Sequence, residues 1–191
     1  MNQSNHNTKV APARSDLYTS RHPGGGAAEG DKMRERLDAI DWKILGELQR
    51  DGRVTNVELS RRVGISAPPC LRRMRALEDS GIIRGYRALL DEKRLGFEVT
   101  VFVMVHLTSQ AEPDLAAFDD RIRTWPLVRE CWMLSGEVDF ILKCVAPDLG
   151  TFQNFLTELT ATPNVRSIKT ALALRRSKDE ANVPLENGHA A

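Results

Sequence analysis

Residues 54–87, VTNVELSRRVGISAPPCLRRMRALEDSGIIRGYR, decide the fold of the amino-terminal half of the chain. This segment predicts two short helices that are joined by a tight glycine turn. Thr55 and Glu58 have the spacing of a capping box, in which the hydroxyl accepts from the Glu58 amide and the carboxylate accepts from the Thr55 amide. Gly64 supplies the left-handed residue that ends the first helix. The apolar anchors of this helix are expected to be Val57, Leu59 and Val63.

The second helix of the pair is expected to start at Ser66, which caps it. Pro68 and Pro69 fall in its first turn, where a missing amide costs little. Its apolar stripe, which faces the domain core at helical spacing, comprises Leu71, Met74 and Leu77. The three arginines of this helix cannot all share that stripe, so most of the guanidinium charge is expected to point elsewhere.

The charge and shape of the second helix favour binding to double-stranded DNA. A cationic helix with small residues at its amino end can enter the major groove, with base edges near that end and phosphates along its flanks. Gly81 ends the helix, and residues 82–87 continue as the extended segment of a wing. An ordinary solvated cationic face is the alternative, but the capped helix pair, the glycine turn and the wing together favour DNA. The predicted DNA contacts are Thr55, Asn56, Ser66, Ala67, Pro68, Pro69, Cys70, Arg72, Arg73, Arg75, Arg84 and Arg87.

The two halves of the chain differ in charge. Residues 34–94 hold fourteen Lys and Arg against ten Asp and Glu, a net charge of +4, although the whole chain has only +1. Residues 97–174 hold six against ten, a net charge of −4. Only the first half therefore suits a polyanion. A helix before the pair, with Asp38 as its N-cap and Asp51-Gly52 at its end, completes the predicted winged domain.

Cysteine and histidine usage does not indicate a metal site or an enzyme. The three cysteines show no metal-ligand spacing, and neither a nucleophile–base pair nor a glycine-rich phosphate loop is evident. Cys131 and Cys144 lie in apolar strands, which favours buried, inert thiols over a redox switch. No apolar run approaches the ~20 residues of a membrane span, and no signal-peptide core is present, so we expect a cytoplasmic protein without cofactor.

The second half has the pattern of an α+β sandwich, and in its first strand Val99, Val101, Val103 and Val105 alternate on one face. Strands are predicted at residues 97–107, 128–134, 138–145 and 165–174, and helices at 112–125 and 149–159. The order β-α-β-β-α-β is that of a ferredoxin-like domain. The predicted organisation is a disordered tail at 1–32 (or an over-long start of the reading frame), a winged helix-turn-helix domain at 33–90, a linker at 91–96, a ferredoxin-like domain at 97–176, and a tail at 177–191.

Two helices can cover only one face of such a sheet. The strands carry apolar residues on both faces, and the set that the helices cannot cover entirely is Phe102, Met104, Trp132, Leu134, Ile141 and Val145. An uncovered apolar face implies a partner, most simply a second copy related by a two-fold axis. A dimer also suits paired recognition helices, which read half-sites about one helical turn apart.

The chain resembles the leucine-responsive regulatory protein and asparagine-regulator (Lrp/AsnC) family of bacterial and archaeal transcription factors. The segments that carry the resemblance are LDAIDWKIL, DGRVTNVELSRRVGIS, LRRMRALEDSGIIRGYRALLD, WMLSGEVDFILKCVAPDL and NVRSIKTALAL, between Leu37 and Leu174. The resemblance implies a sequence-specific regulator whose dimers assemble further, into a tetramer or an octamer. It also implies that residues 97–176 form a ligand-sensing and oligomerisation domain. This domain would bind a small amino-acid effector between dimers, near a Gly-x-x-Asp hairpin.

Carried onto this chain, the implied effector site comprises Leu134, Ser135, Gly136, Asp139 and Phe140. A carboxylate just past a tight turn could pair with a ligand α-ammonium, while turn amides bind its carboxylate. Asp139 could equally accept hydrogen bonds from neighbouring backbone and only fix the hairpin. The corresponding alternative for the whole protein is an architectural DNA-binding protein whose second domain oligomerises without a small-molecule ligand.

Overall fold

The computed structural model describes residues 37–180 and 183–185, which form two compact units: the first contains residues 37–88, 180 and 183–185, and the second spans Leu89–Asp179. The predicted tail at residues 1–32 lies outside the described residues, as do residues 181–182 and 186–191 of the predicted carboxy-terminal tail. The segment 91–96, predicted as a linker, is part of the second unit and includes a short 3-10 helix at Lys93–Leu95.

The first unit contains three helices, α1 (Ala39–Arg50), α2 (Asn56–Val63) and α3 (Ala67–Asp79). They bury one small core, whose fully or nearly fully buried members are Ile44, Leu59, Val63, Cys70 and Leu77. The predicted anchors Leu59 and Val63 of α2 are confirmed. Val57 was wrongly placed among them, because its side chain is 72% exposed on the outer side of α2.

The helix ends explain the sharp turns of this unit. Asp38 caps α1 with a complete capping box, in which Asp38 and Asp41 each accept the other's amide. Thr55 caps α2 through a 3.2 Å bond from the Glu58 amide, but the Glu58 carboxylate bonds arginines instead of the Thr55 amide. The capping box predicted there is therefore only half formed. Gly64 ends α2 at φ 84°, the left-handed conformation that the pattern predicted.

The wing segment follows α3 without a strand of its own. Ser80 is the C-cap of α3, and Gly81 at φ 76° turns the chain away. Residues 82–90 belong to no helix or strand. Tyr86 fastens this segment to the domain, since its hydroxyl donates a 2.9 Å hydrogen bond to Glu78 of α3 and its ring approaches Gly52.

The second unit has the predicted β-α-β-β-α-β order. Its elements are β1 (Val99–Leu107), α4 (Glu112–Ile122), β2 (Val128–Met133), β3 (Phe140–Ala146), α5 (Leu149–Thr160) and β4 (Val165–Leu172). The strands form one antiparallel sheet in the order β2-β3-β1-β4, with Val103 opposite both Leu142 and Thr170. The first and last strands along the chain are thus neighbours, as in a ferredoxin-like sandwich.

The two faces of this sheet differ in burial. Alternate β1 residues from Val99 to Leu107 are buried, and so are Phe140 and Leu142 of β3. These pack with apolar residues of α4 and α5 in one core, in which the Phe118 and Phe140 rings lie 4.9 Å apart. The expected alternation along β1 is confirmed.

The opposite face of the sheet, which we call the open face, has no helix of this unit on it. Trp132 lies opposite Ile141, and Ile141 lies opposite Met104, so these residues form an apolar row across three strands. Phe102 lies on the same face beside the Lys143–Glu130 ion pair. The expectation of an uncovered apolar face holds for these side chains, but not for Val145, which is only 7% exposed.

Candidate DNA-binding and effector-binding sites

The exposed side of α3 carries the strongest candidate DNA contacts. A helix has 3.6 residues per turn, so Pro68, Leu71, Arg72 and Arg75 lie within one arc of its surface. Pro68 and both arginines are exposed, and Leu71 is half-buried. Within the described residues, no carboxylate pairs with Arg72 or Arg75. Both guanidinium groups are therefore available to phosphates or base edges.

Arg73 lies on the other side of α3 and is held by α1. Its Nη1 atom is 2.7 Å from Asp38 Oδ2 and 2.8 Å from Asp41 Oδ1. These hydrogen bonds raise the pKa of Arg73, and backbone donation from Asp41, together with Arg73, lowers the pKa of Asp38. This arrangement, which we call the Arg73 lock, ties α3 to the start of α1. The geometry therefore argues against the predicted role of Arg73 as a phosphate contact.

Cys70 and Asn56 also differ from the prediction. Cys70 is fully buried in the core, so it cannot read a base edge, and burial raises the pKa of its thiol. Asn56 is half-buried, and its Nδ2 donates a 2.9 Å hydrogen bond to the Ala67 carbonyl, which joins α2 to the start of α3. Its Oδ1 is buried without a partner among the described residues. Both side chains act within the helix-turn-helix.

The remaining predicted DNA residues are at the ends of the helices and in the wing. Thr55 and Ser66 are exposed, and Ser66, although it is the N-cap residue of α3, makes no side-chain capping bond. Ala67 and Pro69 are half-buried. Arg84 and Arg87 are exposed on the wing segment. Tyr86 fixes that segment, and desolvation together with its hydrogen bond to Glu78 raises the pKa of Tyr86 to about 12.

An ion-pair network that the sequence pattern did not predict joins α1 and α2. Glu58 accepts hydrogen bonds from Arg61 and Arg62, and Arg62 and Arg50 both pair with Glu47. The bonds from Arg61 and Arg62 lower the pKa of Glu58 to about 2. The i, i+3 and i, i+4 spacing of Glu58 with the two arginines was the signal that could have predicted half of this network.

The second candidate site is the turn between β2 and β3. Leu134 is 43% exposed, and Ser135 and Gly136 are exposed, with Gly136 at φ 131°. Phe140 is different, because its ring is fully buried in the core. The predicted contact between Phe140 and an effector therefore does not agree with its position in this unit.

Asp139 is buried directly before β3, and each of its carboxylate oxygens accepts one hydrogen bond. Its Oδ2 accepts the Leu107 amide at 2.7 Å, and its Oδ1 accepts Nε2 of Gln110 at 2.5 Å. Its carbonyl accepts the Leu134 amide, and its own amide donates to Val105. No cation among the described residues pairs with this carboxylate. Sequence patterns did not indicate Gln110, because nothing local marks a glutamine after a strand as a partner of an aspartate 29 residues away.

Two structural absences concern the described residues only. None of their helices combines the length and the apolar character that crossing a membrane requires. The same residues contain no group of three or more His, Cys, Asp or Glu that could hold a metal ion.

Two family profiles match the chain: winged helix-turn-helix DNA-binding at residues 37–84, and Lrp/AsnC ligand binding domain at residues 100–183. A leucine-responsive regulatory protein of Rhizobium meliloti (strain 1021) is 58% identical over 154 residues, which cover 80% of this chain and 99% of that protein. A Bkd operon transcriptional regulator of Pseudomonas aeruginosa is 46% identical over 140 residues, covering 73% and 92% of the two chains.

Solved structures agree with these sequence matches. A transcriptional regulator of Neisseria meningitidis, crystallised as a complex with L-methionine, superposes with a TM-score of 0.75 at 38% identity, covering 78% of this chain and 97% of that one. An AsnC family transcriptional regulator of Agrobacterium tumefaciens superposes with a TM-score of 0.74 at 34% identity, with the same coverage.

Proposed function

Because the chain belongs to the Lrp/AsnC family of DNA-binding transcriptional regulators, we propose that it holds DNA with the exposed side of α3 and changes this binding when an amino acid occupies its second domain. One observation carries the proposal of DNA binding. Arg72 and Arg75 are exposed on one side of α3, and neither has an acidic partner in the described part of the chain. The relatives are bacterial regulators, and bacterial DNA lies in the cytoplasm, so the proposal places this protein there.

The proposed division of labour on DNA follows from where the side chains lie. Ser66 and Pro68 are exposed at the amino end of α3, which in a helix-turn-helix meets the base edges. Arg72 and Arg75 lie one and two turns further along the exposed side, where phosphates flank the groove. Arg84 in the wing adds a further phosphate contact.

The test of the DNA surface is fluorescence anisotropy on the protein's own upstream DNA at several salt concentrations. Each lost phosphate contact should weaken binding to all sequences and reduce the slope of log K against log salt by about one. We therefore expect Arg75→Ala to lower the slope, and Arg123→Ala, which removes an exposed arginine of the second unit, to leave it unchanged. Equal slopes for wild type and Arg75→Ala would show that Arg75 does not contact a phosphate.

The proposed effector is an amino acid at the β2–β3 turn. The support is a buried Asp139 carboxylate without a cationic partner in the described residues, the exposed turn residues Ser135 and Gly136, and the L-methionine complex of the Neisseria meningitidis regulator. Thermal shift against the twenty amino acids tests it, because a ligand that binds only the native state stabilises by about 2.7 kcal/mol at a hundredfold excess over Kd. A flat response across the panel would contradict the effector role.

The open face supports self-association. Trp132, Ile141, Met104 and Phe102 form an apolar area with the Lys143–Glu130 pair beside it, which is the composition of a homodimer interface. We propose that a second copy covers this face and that dimers assemble further. Sedimentation of Met104→Asp should show a smaller species than wild type, whereas Thr157→Asp on the exposed side of α5 should not.

One observation favours the alternative of an architectural DNA-binding protein. Both oxygens of Asp139 are already satisfied by Leu107 and Gln110 of the same unit, so the carboxylate needs no ligand. Under this alternative, the multimer would bind DNA stepwise and tightly, and amino acids would change neither the thermal midpoint nor the mobility of the complexes.

A further inference from the structure

Gln110 covers the Asp139 carboxylate from the solvent side. Asp139 is only 6% exposed, whereas Gln110 is an exposed residue of the loop between β1 and α4. The Gln110 amide nevertheless reaches Oδ1 of Asp139 at 2.5 Å. A side chain that is itself in solvent therefore accounts for one of the two hydrogen bonds on a buried carboxylate.

The two donors on Asp139 differ in how easily they can leave. The Leu107 amide is part of β1 and sits at the end of the ladder between β1 and β4, so it cannot move without opening the sheet. Gln110 donates through a terminal amide on a side chain with three rotatable bonds. When that amide leaves, it remains in solvent and can bond water, so its departure costs little.

The backbone of the loop is held independently of Gln110. Asn164, in the left-handed conformation at φ 71°, accepts from the Ser109 amide at 2.8 Å and donates to the Ser109 carbonyl at 3.0 Å. The Asn164 carbonyl also accepts the Thr108 amide. The Ser109 hydroxyl in turn donates to Asp114 of α4. Gln110 can therefore swing away from Asp139 while residues 108–109 stay in place.

We propose that Gln110 is a competing cover on the effector site: its amide occupies the position on Asp139 Oδ1 that the α-ammonium of an amino acid takes, and it sets the affinity for that amino acid. An ammonium carries a full charge, so it binds a carboxylate more strongly than a neutral amide does. The inference rests on the proposed effector function, but the covering of Asp139 by Gln110 can be tested without any amino acid.

Competition of this kind predicts opposite effects for two substitutions of one residue. Apparent affinity falls in proportion to the fraction of open sites, so a cover that is closed about nine-tenths of the time weakens binding about tenfold. Gln110→Ala should therefore tighten binding about tenfold. Gln110→Lys places a tethered ammonium on Asp139 and should weaken binding by about tenfold or more. Gln153→Ala, at an exposed glutamine of α5, is the matched control and should change nothing.

The experiment measures binding of L-methionine and of L-leucine to the full-length variants by isothermal titration calorimetry. Tightening by Gln110→Ala together with weakening by Gln110→Lys supports the competing cover. Weakening by Gln110→Ala would overturn it, because Gln110 would then be a contact that the amino acid needs. If neither L-methionine nor L-leucine binds any variant, and none of the other eighteen amino acids binds in the same titration, the effector function proposed for this site fails, and the competition fails with it.

A measurement without any amino acid tests separately whether Gln110 covers the Asp139 carboxylate. Carbodiimide with glycine ethyl ester converts accessible carboxylates into amides, and mass spectrometry of the peptide that contains Asp139 reports the extent. We expect Asp139 to be protected in wild type and Gln153→Ala, and labelled several-fold faster in Gln110→Ala. Equal labelling of Asp139 in wild type and Gln110→Ala would show that Gln110 does not cover it, whatever the amino acids do.

Discussion

Replacing Arg73 should destabilise the DNA-binding domain without removing a phosphate contact. In the Arg73 lock, one guanidinium nitrogen bonds Asp38 and Asp41 at the start of α1. The Asp41 side chain is only 13% exposed, whereas that of Asp38 is 51% exposed. Arg73→Met keeps the apolar stem of the side chain and leaves the nearly buried Asp41 without its cation.

The loss of unfolding free energy expected for Arg73→Met lies between the values for exposed and for buried ion pairs. Breaking a fully buried pair by removing one partner costs about 3–5 kcal/mol, and an exposed pair is worth about 0–1 kcal/mol. Asp41 is mostly buried but keeps its hydrogen bond from the Asp38 amide, so we expect a loss of about 2 kcal/mol. For a domain of this size, that loss lowers the melting temperature by about 10 °C.

The assay compares Arg73→Met with Arg72→Met, the same substitution at the neighbouring exposed position. The melting temperature should fall markedly only for Arg73→Met. Surface substitutions away from specific contacts change the free energy of unfolding by no more than about 0.5 kcal/mol. The salt dependence of DNA binding should fall by about one only for Arg72→Met. If Arg73→Met left the melting temperature unchanged and reduced the slope of log K against log salt, the Arg73 lock would be refuted. Arg73 would then be a phosphate contact.

Three further outcomes test other parts of the structure. Cys70→Ala should lower the free energy of unfolding by about 1–2 kcal/mol because it opens space in the core, yet leave preference for the operator over random DNA unchanged, as competition binding would reveal. Cys131 and Cys144, whose thiol pKa values burial raises to about 12, should react with a thiol reagent at neutral pH only after denaturant is added. In the folded protein the pKa of the Glu58 carboxylate is about 2, below its ordinary value of 4.5. The charged carboxylate therefore stabilises the fold above pH 4.5, and this contribution is lost as the pH falls towards 2. The urea midpoints at pH 5 and pH 3 should accordingly differ less in Glu58→Gln than in wild type.

Local patterns were sufficient to predict the helix-turn-helix and the strand order. Asp38, Gly64 and the alternation along β1 each act through neighbours in sequence, and each is found as expected. The family resemblance, carried by motifs in both domains, is confirmed by the comparisons. Element ends shifted by a few residues, as with α4, which ends at Ile122 rather than at 125.

What sequence could not supply was the partner of each polar side chain. Helical spacing places Arg73 on the Cys70 and Leu77 side of α3, which was visible in the sequence, but the carboxylates that hold it lie more than 30 residues away. The Gln110–Asp139 bond likewise joins two loops that only the sheet brings together. Long-range pairing therefore decides which members of a predicted site are available, and residue type alone does not.

The positions of the carboxylates in the first unit determine which of its arginines are available to DNA. Its net positive charge attracts DNA as a whole, but Arg61, Arg62 and Arg73 are paired with acidic side chains. The pair of Arg62 with Glu47 joins α2 to α1, and the pair of Arg73 with Asp41 joins α3 to α1. Arg72 and Arg75 have no such partner among the described residues, so they can displace counterions when DNA binds. Added salt should therefore weaken DNA binding steeply through the second group. It should act on folding only weakly through the first, because those pairs are short-range and hydrogen-bonded. A salt titration in which binding and stability fell together would mean that the two groups of arginines are not separate.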